Sequence, residues 1–108
     1  MKSKKIIEIL LKLQMDDLRD AEMLADYAEN MKEMGEHSIA SSLASRAKQR
    51  LNQVTECENS IHNMMEKMKI EAEEAGHKIN LEENEYQIMY KKFTNEKIAE
   101  IKKQLENI

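Results

Sequence analysis

The chain has 108 residues, no proline, two glycines and four aromatic side chains, with 35% charged and 41% hydrophobic residues. So few turn-forming residues exclude short-stranded β sandwiches and barrels, and the length allows one domain with one core. A net charge of −4, from 17 basic and 21 acidic residues, argues against direct binding of nucleic acid by bulk charge.

The N-terminal MKSKKIIEILLKL places basic residues before apolar ones. Glu8 and Lys12 interrupt the apolar run and no small-residue cleavage site follows, so it does not read as a signal peptide. No stretch approaches the 18 uncharged apolar residues that a membrane span needs. The single cysteine, Cys57, cannot close an internal disulfide, which suits a reducing compartment. These features predict a cytoplasmic protein without a membrane partner.

Residues 5–34 predict the first helix. Ile7, Leu11, Gln14, Leu18, Ala21, Ala25 and Ala28 recur every three or four positions, the seam of helices packed nearly side by side. Residues 39–74 predict the second, through Ala40, Ala44, Ala47, Leu51, Val54, Glu58, Ile61, Met65, Met68 and Ala72. Between them, Gly35 suits a left-handed helix end and Ser38 suits an N-cap. Folded about that turn, the two seams stay in step. Ala28 meets Ala40, Ala25 meets Ala44, Ala21 meets Ala47, and Leu18, Gln14, Leu11 and Ile7 follow opposite Leu51, Val54, Glu58 and Ile61. Three alanine layers near the turn let the two backbones approach closely.

Residues 81–107 predict a third helix, with Asn80 as N-cap and Glu83 as its capping-box partner. Its apolar positions are Tyr86, Met89, Tyr90 and Phe93, then Ile98, Ile101, Leu105 and Ile108. Folded back on the second helix about residue 77, it sets Lys97 beside Glu58. A polar core layer of Gln14, Glu58 and Lys97 would then fix the register of the bundle, and Met64, Met65 and Met68 would be core beneath the third helix. The expected fold class is all-α. A long antiparallel hairpin joins a third helix in one domain spanning 1–108, and a second copy can complete a four-helix arrangement at the hairpin tip.

On this pairing the third helix ends near Ala47 and leaves the tip uncovered. The tip keeps a second apolar stripe of Leu24, Tyr27, Met31, Met34, Ile39 and Leu43, and contiguous apolar side chains left open on a chain usually mark a contact surface. Met31 and Met34, two of nine methionines, suit an adaptable surface. Residues 16–36 hold eight carboxylates, among them Asp20, Asp26, Glu29 and Glu33, against Arg19 and Lys32. Such a rim can steer a basic partner, for which a nucleic-acid-binding host protein is one class. A homodimer uses the same tip on itself.

Chemistry is sparsely signalled. The chain has no phosphate loop, no dinucleotide fingerprint and no Gly-rich loop presenting Cys57. Ser38, Ser41, Ser42 and Ser45 read as capping and small-residue packing. His62 follows Glu58 by one helical turn, and a metal site could form from these two with carboxylates of a second copy. His37 and His77 lie at opposite ends of the second helix. The di-iron type needs carboxylates on several helices together with Glu-x-x-His along a helix face, and no cofactor and no catalytic residues are expected.

The segments DLRDAEMLADYAENMKE, IASSLASRAKQRLNQVTECENSIHNMM and MYKKFTNEKIAEIKKQL resemble the ferritin-like, rubrerythrin-type helical hairpins. In particular they resemble a group of small proteins of that type carried by prophages of low-GC Gram-positive bacteria. In metal-binding members the second helix reads roughly Ala-x-x-Glu-x-x-His-x-x-x-Leu. Here Ala47 stands in place of the Glu and Arg50 in place of the His. The resemblance therefore implies the helical fold and a mobile-element origin without the metal chemistry. It points to a non-enzymatic protein that binds and modulates or inhibits a host or defence protein.

Overall fold

The computed structural model describes the backbone of residues 2–76 and 85–108, and the side chains of residues 5–76 and 91–108. Three helices make up this structure: α1 (Lys2–Glu33), α2 (His37–Glu74) and α3 (Glu85–Glu106). The fold is an antiparallel α1–α2 hairpin with a third helix laid along it. The predicted Asn80 cap and helix start near Leu81 lie outside the described residues, as does His77.

The α1–α2 turn is built by backbone bonds. Gly35, at φ +82°, donates its N–H to the Lys32 carbonyl at 3.0 Å, and Glu36 donates to Met31 at 2.8 Å. This pair of bonds is the Schellman ending, which needs a residue in the left-handed region and so favours glycine. The Ser38 cap does not form. Helix α2 begins two residues earlier than expected with Glu36 at the N-cap, and no side chain caps it. With Gly35 ending α1, the Glu36 carbonyl already accepts the Ala40 N–H at 3.0 Å, so Ser38 falls inside the first turn of α2.

The hairpin seam is the core. Leu18, Ala21, Ala25, Ala28, Ala44, Ala47, Leu51 and Val54 form one buried cluster. Its register is read from cross-helix contacts: Arg50 lies 3.6 Å from Asp17, and Gln14 Nε2 donates to the Val54 carbonyl at 3.3 Å. Paired residue numbers add to about 68 along the seam, as the alanine pattern predicts.

Helix α3 sits elsewhere than expected. Lys97 Nζ donates to Glu22 at 3.3 Å, and Gln104 Nε2 donates to Asp26 at 2.8 Å and to Glu29 at 2.7 Å. At the turn, Lys32 Nζ donates to the Asn107 carbonyl. The partners keep an offset of 75 to 78 residues, so α3 runs parallel to α1 and antiparallel to α2. Ile101 and Leu105 enter the seam cluster, with Ile98 and Ile108 packed against it.

Two expectations fall together. Lys97 stands level with Glu22 and Ala47, about 16 Å along the bundle from Glu58, so the polar layer contains Gln14 and Glu58 without Lys97. The tip also does not stand clear of α3, whose C-terminal end reaches Lys32. The physical reason lies in what each placement offers α3. In the observed one Ile101 and Leu105 are buried in the seam cluster, Lys97 pairs with Glu22 and Gln104 with Asp26 and Glu29, whereas Glu58 already accepts from Gln14. Met64, Met65 and Met68, expected as core under α3, are half-buried.

Candidate protein-interaction face

Helix α3 divides the hairpin into two flanks. Its partners Glu22, Asp26 and Glu29 lie on one flank of α1, together with Lys48 of α2, which lines a recess with Lys102, Leu105 and Glu106. Two residues along a helix turn the side chain by about 200°. Asp20, Leu24 and Tyr27 therefore point to the other flank, where they line a shallow recess of about 200 Å3 with Met23, Arg46 and Arg50.

That open flank carries the predicted apolar stripe. Tyr27 is 51% exposed, Met34 71% and Ile39 48%. Leu24 and Leu43 are half-buried against the seam, and Met31 is half-buried. The sequence pattern missed an extension. Ile9 and Leu13, 50% and 49% exposed, precede Tyr27 and Met31 by 18 residues, five turns of helix, and so continue the same stripe toward the N-terminus. That spacing was the signal available in the sequence.

The acidic rim is divided between the flanks. Asp26 and Glu29 share the Gln104 amide and Glu22 takes Lys97, so these carboxylates fasten α3. The bond to Glu22, then the attraction between the two charges, holds the Lys97 ammonium above the usual lysine range. Asp20 remains on the open flank beside Arg46 and Arg50. Glu33 is exposed at the end of α1. Burial raises the Asp17 carboxyl above its ordinary range, opposed by Arg50 and reinforced by Asp20 and Asp16.

The polar pair lies lower in the hairpin. Gln14 is 1% exposed, and its Nε2 donates to the Glu58 carboxylate at 2.6 Å. Next to it, the Cys57 thiol donates to the Leu10 carbonyl at 3.4 Å. Burial pushes the thiol upward from its ordinary range, and the Asp17 and Glu58 carboxylates add to the shift. Less thiolate means slower attack on electrophiles. Alkylation by iodoacetamide at pH 8 is expected to run severalfold slower than for free cysteine and to reach the free rate in denaturant. Equal rates in native and unfolded protein would show that the site does not shield the thiol.

His62 is exposed on α2, one turn beyond the half-buried Glu58. Among the described residues no three His, Cys, Asp or Glu side chains come together as metal ligands. No described helix is long and apolar enough to cross a membrane. No family model, curated protein or solved structure matches the chain.

Proposed function

We propose that this chain is a non-enzymatic protein-interaction module that works by stoichiometric contact through the open flank of its hairpin. The observation that carries the reading is the stripe of Leu24, Tyr27, Met31, Met34, Ile39 and Leu43, which stays open opposite α3 and contains three side chains about half exposed or more. Exposed apolar side chains gathered on one rigid helical face, rimmed by charge, are the usual form of a docking surface. Tyr27 and Met31 supply the large, adaptable groups that anchor such contacts. The resemblance to prophage-carried hairpins adds a class of role, in which the contact modulates or inhibits a host or defence protein.

The test is the double substitution Tyr27→Lys and Met31→Lys. Helicity and unfolding midpoint are expected to stay near those of the unchanged chain, while association through this face is lost, whether with itself or with another protein. Two lysines at the centre of an apolar contact weaken binding by at least a hundredfold, about 3 kcal/mol. Loss of the helical signal would overturn the reading, because it would make the stripe part of the core.

A further inference from the structure

The open flank has a charge order that selects its occupant. Its α1 edge carries Asp20 and its α2 edge carries Arg46 and Arg50, all lining one recess between Leu24 and Tyr27. Arg50 is engaged with Asp17 and with Gln53. Asp20 and Arg46 make no hydrogen bond or ion pair among the described residues. An acid and a base at equal height on opposite edges of one apolar face are self-complementary. A second copy rotated by half a turn about the long axis of the hairpin lays its α2 on this α1 and its α1 on this α2.

We propose that the open flank pairs with a second copy of the same chain in that tips-together arrangement, Asp20 of each copy meeting Arg46 and Arg50 of the other, to make a four-helix core flanked by the two α3 helices. This rests on the protein-contact reading above and names its partner.

The apolar groups agree with the same operation. The seam relation that sets Leu24 and Tyr27 level with Leu43, and Met31 with Ile39, holds across the two-fold as it does within the hairpin. Leu24 and Tyr27 thus meet the other copy's Leu43, and Met31 and Met34 meet its Ile39. Every adjacent helix pair in the resulting bundle is antiparallel, the ordinary geometry of four-helix bundles. The alternative two-fold, across the hairpin, lays α1 on α1 and α2 on α2. It gathers carboxylates against carboxylates and guanidinium groups against guanidinium groups, and like charges brought together at an interface oppose it.

Area supports a stable pair. From Ile9 to Met34 the face runs for about 38 Å along α1, and two packed helices are about 20 Å wide. The patch is therefore about 750 Å2 per copy, close to the roughly 800 Å2 each partner contributes to a standard interface.

The experiment is light scattering after size exclusion, over a hundredfold range of concentration, on the full chain and on charge-swapped variants. The unchanged chain is expected near 25 kDa, twice the 12.7 kDa of one copy. Asp20→Arg and Arg46→Asp are each expected to weaken the dimer roughly tenfold at their two symmetric contacts, and the combined variant is expected to restore most of the affinity. Both positions line a shallow recess, so circular dichroism should show folded protein in all three variants. A monomer at every concentration overturns the second-copy pairing and leaves the protein-contact reading to the Tyr27 and Met31 test. A dimer that Asp20→Arg strengthens overturns the tips-together arrangement, because it puts α1 against α1.

Discussion

Replacing Ala25 with leucine is expected to lower the unfolding midpoint by roughly 4–12 °C, and to do so without any change on the surface. Ala25 is fully buried, as are Ala21, Ala28 and Ala47 around it. A methyl group at each of these layers lets α1 and α2 pack near the close end of the 8–10 Å range of helix separations. Leucine adds three heavy atoms where no void receives them. Overpacking of this kind costs about 1–3 kcal/mol and sometimes more, while a domain of this size is stable by roughly 5–15 kcal/mol in total. At about 4 °C per kcal/mol for about 100 residues, the shift is large and easily read.

The position also stands under α3, since Ile101 and Leu105 belong to the same buried cluster. Spreading the hairpin therefore loosens the third helix as well as the first two. Ala99→Leu, at an exposed site of α3, is the control and should leave the stability within about 0.5 kcal/mol of that of the unchanged chain. An Ala25→Leu protein that melts with the unchanged chain would show that the alanine layers are not close-packed.

The hairpin was legible because its information is local and repeated. Each alanine layer, the glycine at position 35 and the paired Gln14 and Glu58 interruptions report the same register independently, and errors in one are corrected by the others. The third helix was legible as a helix but not in its placement. Its apolar spacing slips between Phe93 and Ile98, and a seam that skips can be slid along its neighbour. What fixes it are polar groups with long reach, Lys97 to Glu22 and Gln104 to Asp26 and Glu29, and sequence periodicity carries no signal for such pairs. The same pairs reassign half of the acidic rim from steering a partner to holding α3. A run of carboxylates on one helix therefore does not say which flank each one serves. Phe93, expected in the stripe of α3, is 48% exposed, whereas Thr94 beside it is buried at 3%; the spacing of Ile98, Ile101 and Leu105, carried four residues back, reaches Thr94, but a threonine there does not register as apolar.

The Gln14–Glu58 pair should behave as a unit. Glu58→Leu is expected to destabilise the chain by about 1–3 kcal/mol, because it leaves an amide N–H of a fully buried glutamine with only the long bond to Val54. Gln14 already has its Oε1 buried without a partner, so the amide has little left to lose without cost. Gln14→Leu alone strands the half-buried Glu58 carboxylate from its donor and is expected to cost less, since that carboxylate can reach water. The double variant replaces both polar groups by side chains that continue the Leu18, Leu51 and Val54 seam, and its stability is expected at or above that of the unchanged chain. The coupling between the two sites, read from a double-mutant cycle in urea, should be at least about 1 kcal/mol. Additive single effects would show that the 2.6 Å contact contributes nothing of its own. The double variant carries a second readout. A polar residue at a seam position pins one register, and with Gln14 and Glu58 gone only the alanine layers and the turn at Gly35 remain to do so. Amide exchange in α2 beyond Leu51 is expected to quicken in the double variant even as its unfolding midpoint rises, which separates what the pair contributes to register from what it costs in stability.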